Sequence, residues 1–169
     1  MLSGKNSRAL SPSHEHYLRA IWALRSRTGY ARLADVAREL GVSHATVSVG
    51  LKPLEEGGMV AHDAHRFLLL TPAGERVARE VHHRFSVLRV FLKDVLGVPE
   101  ETAAREACLL EHDISPDTAA RFVDLLKLMH EDPAVGSILR DRLAHYHRSC
   151  APSDECSTCG LACITAGPA

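Results

Sequence analysis

Long apolar runs and a strong net charge are both missing from this chain of 169 residues. The longest apolar stretches, such as Phe67-Leu-Leu-Leu70, are far too short to span a bilayer. The start, Met1-Leu-Ser-Gly-Lys-Asn, has none of the hydrophobic character of a signal peptide, so a cytoplasmic location and no membrane partner are expected. Aromatic residues make up only 5%, yet a hydrophobic content of 46% is enough to bury a core as one domain or two small ones. A net charge of −1 does not advertise a polyanionic partner. The distribution says more: residues 1–60 hold eight Lys/Arg against five Asp/Glu, a local balance of +3. No repeat of solenoid period is present.

What is there reads as mostly helix. Ser11-Pro12 is an N-cap followed by proline at the first helical position, and the helix it opens runs to about Ser26, with Gly29 behind it. Leu33, Val36, Ala37 and Leu40 make a short amphipathic helix, Gly41 a tight turn, and Ser43 the cap of a second helix beginning at His44. Small Ala37, turning Gly41 and apolar Val47 are the packing positions of a helix-turn-helix, although an ordinary helical hairpin has the same pattern. Gly50 and Pro53 should kink the second helix. Met59–Ala61 and Arg66–Leu70, with a polar turn between them, read as a two-stranded hairpin, and helices followed by such a hairpin make a winged helix. A long helix should run from Pro72 to Leu96, another from Glu100 to about His112, a third from Pro116 to about His130 and a last from Val135 to about Arg148. The expected fold is therefore mainly α: a winged helix-turn-helix over residues 1–72, a helical domain over 73–148 and a Cys-rich tail over 149–169.

Two stretches carry chemistry. In Glu106-Ala-Cys-Leu-Leu-Glu-His112, the residues Cys108, Glu111 and His112 stand at i, i+3 and i+4, which places them on one helix face. Thiolate, carboxylate and imidazole together suit a divalent ion of intermediate softness. The plainer reading is a half-buried structural cysteine beside a surface Glu–His pair. If the helix-turn-helix reads DNA, the start of its second helix enters the major groove, with Ser43, His44, Thr46 and Ser48 nearest the bases. Arg32, Lys52 and Arg66 are then candidates for phosphate contacts, which position the protein without specifying sequence.

Helix, helix-turn-helix, wing, long His-bearing helix and Cys-x-x-Glu-His, in that order, resemble the diphtheria-toxin-repressor family of metal-dependent transcriptional repressors. The similarity covers roughly residues 11–133, and its most specific pieces are Ser11–Arg19, Thr46-Val-Ser48, Leu70-Thr-Pro-Ala-Gly74 and Glu106–His112. It implies a homodimer that binds double-stranded operator DNA when loaded with Fe(II), or alternatively Mn(II) or another divalent transition metal, and a second domain that dimerises. It adds two ligands to Cys108, Glu111 and His112: His16 on the first helix and His83 on the long one. Without the resemblance, His16 reads as a first-turn surface residue and His83 as a core histidine. Arg19 departs from the pattern, standing where the manganese-sensing branch has a carboxylate ligand.

The tail adds Cys150, Cys156, Cys159 and Cys163, whose 5-2-3 spacing suits an iron–sulfur cluster, with Zn as the alternative. A metal-responsive repressor explains most of these features together. The alternative is a winged-helix regulator that senses iron–sulfur status through the tail. An enzyme using Cys108 as nucleophile fits least, because no base or oxyanion stabiliser accompanies it.

Overall fold

The computed structural model describes residues 10–149, and the chain divides into two compact units. Of the described residues, one unit runs through Ser86 and takes in Glu111–Asp113; the other comprises Val87–Leu110 and Ile114–Ser149. The division falls inside the long helix.

The first unit opens with α1 (Pro12–Thr28), whose cap Ser11 accepts a hydrogen bond from the His14 N–H and which ends on Gly29 in the left-handed region. Its buried face (Tyr17, Leu18, Ala20, Ile21, Leu24) packs on α2 (Leu33–Leu40) and α3 (His44–Glu56). Gly41, at φ 65°, makes the turn between α2 and α3 that the sequence requires of it. Ser43 Oγ caps α3 by accepting from the Thr46 N–H at 3.1 Å. Helix α3 runs through both Gly50 and Pro53, because Val47, Leu51 and Leu54 anchor it in the core. Gly50 has a packing reason: a Cβ there would lie 2.3 Å from Tyr17 Cε2, so its bare backbone is what lets α3 approach α1.

The wing is shorter than its sequence suggested. Strands β1 (Val60–His62) and β2 (Leu68–Leu70) pair antiparallel with Val60 opposite Leu70. Arg66, expected in a strand, has φ 62° and sits in the turn instead. Asp63 organises that turn: its Oδ1 accepts from the His65 and Phe67 N–H groups at 2.9 and 2.7 Å. Helix α4 (Pro72–Val90) follows, with Thr71 Oγ1 donating to the Gly58 carbonyl and accepting from the Gly74 N–H.

The second unit begins at the end of α4, which does not reach Leu96 as an α-helix. A π-helical turn, Phe91–Val95, replaces its last turn, closed by the Leu96 N–H donating to the Phe91 carbonyl at 3.2 Å. Helix α5 (Glu100–Leu110) stops before Glu111, so Glu111 and His112 occupy a turn rather than the expected last turn of helix. Helix α6 (Pro116–Glu131) is capped by Ser115. Asp132, expected only to end α6, also starts α7 (Pro133–Ser149) by accepting from the Ala134 and Val135 N–H groups. The buried side chains of this unit are mostly small or medium: Val87, Leu88, Leu92, Val95, Ala103, Ala107, Ala119 and Met129. Leu109, Leu110, Leu128 and Ile138 stay exposed. Among the described residues no helix is long and apolar enough to cross a membrane.

Candidate metal centre and nucleic-acid interface

The metal centre begins with one anomaly. Glu111 is 0% exposed, and neither of its carboxylate oxygens has a hydrogen-bond partner. A carboxylate taken wholly out of water needs a counter-charge or a metal to offset its lost hydration. Two imidazoles face it: His16 Nε2, from α1, lies 3.5 Å from Oε1, and His112 Nε2 lies 3.4 Å from the same atom. The two histidine nitrogens are themselves 2.7 Å apart.

The neighbours of His112 decide which nitrogen it offers. Its Nδ1 is 2.7 Å from Glu15 Oε2, and since a carboxylate can only accept, Nδ1 carries the proton. In the neutral ring the lone pair is then on Nε2, which lies 2.7 Å from His16 Nε2 and 3.4 Å from Glu111 Oε1. This carboxylate–histidine pairing is the arrangement that fixes a ligating imidazole in tautomer and orientation. Arg84, on α4, holds both partners: its Nη2 donates to Glu15 Oε2 at 3.3 Å and its Nε to the Glu111 carbonyl at 2.8 Å. The turn at 111–113 is thus tied to α1 and α4 by side chains far apart in sequence.

The donor set fits a divalent ion. Two bonds of about 2.1 Å at a tetrahedral angle put ligand atoms roughly 3.4 Å apart, the separation of each His–Glu111 pair here. The closer His16–His112 pair makes a hydrogen bond and must open slightly to share an ion.

Of the ligands expected from the sequence, His16, Glu111 and His112 are therefore brought together within the first unit. His83 is not with them. It is exposed on α4, because that helix turns Arg84 toward Glu15 and Glu111 and stacks His82 on Trp22, with ring centroids 4.4 Å apart. About 100° of helical rotation per residue leaves His83 between neither. Cys108 lies on α5 in the second unit, half-buried and not in a disulfide. Cys150, Cys156, Cys159 and Cys163 fall outside the described residues. Sequence reasoning missed Glu15 and Arg84 as supports. Arg84 reaches the site across 69 residues to Glu15 and 27 to Glu111, separations that leave no local pattern to read.

The residues expected to face DNA are exposed. His44, Thr46, Ser48 and Lys52 are exposed on α3, as are Ser43 before it and Arg66 in the wing. Ser43 and Thr46 hydroxyls bond each other at 2.8 Å, so part of their capacity is spent on the cap. Arg32 precedes α2 and lies over the Tyr30 and Phe67 rings at 5.3 and 5.1 Å, which fixes its cation beside the wing. Val49, which the sequence reading passed over, is the most exposed apolar residue of α3 at 66%.

Residues 9–68 match the iron dependent repressor N-terminal DNA binding domain, and residues 71–140 match the iron dependent repressor metal binding and dimerisation domain. The chain is 32% identical over 125 residues to the HTH-type transcriptional regulator MntR of Lysinibacillus sphaericus, covering 74% of this chain and 89% of that one. Against the regulator of the same name from Bacillus subtilis the identity is 31% over 124 residues, 73% and 87% of the two chains. Among solved structures, IdeR of T. acidophilum superposes with a TM-score of 0.62 at 28% identity, over 71% of this chain and 55% of that one. A manganese-dependent transcriptional repressor in complex with manganese gives 0.61 at 30% identity, over 68% and 52%. The chain spans about half the length of these solved structures.

Proposed function

The chain belongs to the iron-dependent repressor family of DNA-binding regulators, and on that premise we propose that it represses metal-homeostasis genes in response to Fe(II). Metal-dependent transcriptional repression is the family's activity, and enzymatic turnover is not. The observation that carries the reading is Glu111: fully buried, with no hydrogen-bond partner on either oxygen, and faced by two imidazole nitrogens.

In this reading His16, Glu111 and His112 hold the ion, with Cys108, three residues before Glu111 in sequence, as the further ligand. A bound divalent cation supplies positive charge to the carboxylate and a fixed ligand geometry. Glu15 keeps the His112 lone pair on Nε2, and Arg84 holds the 111–113 turn. His16 brings α1 into the set, so loading favours one placement of the DNA-reading helices that the metal-free protein visits part of the time. The dimer then presents two copies of α3 to major grooves roughly 34 Å apart or a multiple of that. Exposed Leu109, Leu110, Leu128 and Ile138 support a homodimer through the second unit. The thiolate favours Fe(II) over Mn(II), which prefers oxygen donors.

A gel shift with operator DNA at controlled free metal tests this. Fe(II) should stimulate binding by the wild type more than Mn(II) at equal free concentration, and His16→Ala should stay a folded dimer yet lose the stimulation. A His16→Ala protein that still responds fully to metal contradicts the assignment.

A further inference from the structure

Three nitrogens, not two, converge on Glu111 Oε1. Besides His16 and His112, Arg19 Nε lies 3.4 Å from the same oxygen. The histidines can bind a metal; a guanidinium has only N–H groups to offer and is charged at every working pH. Its position is built in. The Arg19 side chain is only 13% exposed, and its guanidinium carbon sits 4.2 Å from the centroid of the Phe85 ring, so an aromatic face and a carboxylate hold it from two sides. His16 and Arg19 stand at i and i+3 on α1, so one helix face delivers a ligand and a cation to a single atom.

We propose that Arg19 is a resident counter-cation, which occupies Glu111 in the metal-free protein and must yield the carboxylate when an ion binds, thereby setting the metal concentration at which the site fills. The inference rests on the reading of His16, Glu111 and His112 as the metal ligands. Its physical basis is charge. A buried carboxylate left alone destabilises the fold, and Arg19 offsets part of that penalty without metal. The same +1 charge then repels an arriving divalent ion and competes for its oxygen ligand, so the ion binds more weakly than the ligands alone would allow. Such a site stays empty at low free metal and fills only when metal is plentiful, which is what a sensor of sufficiency needs.

The test uses the full-length protein, metal-free, titrated with Mn(II) alone while free Mn(II) is followed by paramagnetic resonance, alongside thermal unfolding with and without the ion. Arg19→Met keeps an apolar stem on Phe85 and removes the charge; Arg19→Lys keeps the charge; Arg19→Gln is a second neutral form. Both neutral variants should bind Mn(II) at least tenfold more tightly than the wild type, lose midpoint temperature when metal-free and regain more of it on loading. Arg19→Lys should stay near the wild type on all three readouts. A neutral variant that folds only when Mn(II) is present also supports the proposal. Neutral variants that bind no more tightly than the wild type, or that fail to fold even with Mn(II), overturn it. If the wild type itself takes up no Mn(II) or Fe(II), the ligand assignment fails instead.

Discussion

The candidate DNA-facing surface and the candidate metal centre lie in the same compact unit but are built in opposite ways. The first comes mostly from one stretch of chain, Arg32 to Lys52, with Arg66 added by the wing; in that stretch a short helix, a left-handed glycine and a capped second helix follow in order. The second draws Glu15, His16 and Arg19 from α1, Arg84 from α4, and Glu111 and His112 from the turn after α5. A surface made by local rules keeps its geometry when a single contact is lost. A centre assembled across the fold depends on each side chain that bridges the segments. Substitutions in the two regions should therefore behave differently, one kind costing stability and the other costing metal.

The largest contrast should come from Glu15. Glu15→Gln leaves a side chain of the same size at the His112 Nδ1 but removes the charge that orients the ring. Metal affinity should fall by about 10- to 100-fold, the usual cost of losing an orienting partner, with little change in the fold. Calorimetric titration of the metal-free dimer measures it, and an affinity within twofold of wild type would remove Glu15 from the centre.

Gly50→Ala should do the reverse. Alanine gains about 1 kcal/mol over glycine in a helix interior. Here, however, its Cβ would meet the packed Tyr17 ring at 2.3 Å, and overpacking costs about 1–3 kcal/mol. Net destabilisation of about 1 kcal/mol is expected in denaturant unfolding, with metal affinity unchanged. Trimming the ring with Tyr17→Leu should recover part of the loss in the double variant; simple additivity would show that α1 and α3 do not meet there.

The smallest effect should fall outside both regions. Bonds from Lys93 and then Arg89 hold the exposed Glu100 carboxyl below the usual carboxylate range. A lowered folded-state value adds stability above the unfolded value, and that stability is lost as pH falls through the folded one. Glu100→Gln should therefore differ slightly from wild type at neutral pH and converge with it in acid, by an amount that added salt shrinks. Acid unfolding curves at two ionic strengths measure it.

The same contrast decides what could be read from sequence. Ser11-Pro12, Gly41, Ser43 and Ser115 announce their caps and turns through local chemistry, and the helix order followed from them. The π-helical turn at Phe91–Val95 was not legible, because its residues are as apolar and periodic as an α-helix requires. Spacing singled out Glu111 and His112 as candidates, although they occupy a turn and not a helix face. The direction in which His83 points was not legible, because identity along α4 does not reveal it; one position decides between solvent and the Glu15–Glu111 network. Arg19 could be flagged as a departure, but its contact with Glu111 Oε1 is visible only in three dimensions.

The most direct test of the account is the ligand set of the loaded protein. X-ray absorption of the Fe(II)-loaded dimer, prepared without oxygen, counts imidazole nitrogens around the ion. Two per ion are predicted for the wild type and one for His16→Ala, with the remaining donors unchanged. An imidazole count that does not fall in that variant would mean that α1 supplies no ligand, and the segments brought together at Glu111 would not be joined by metal.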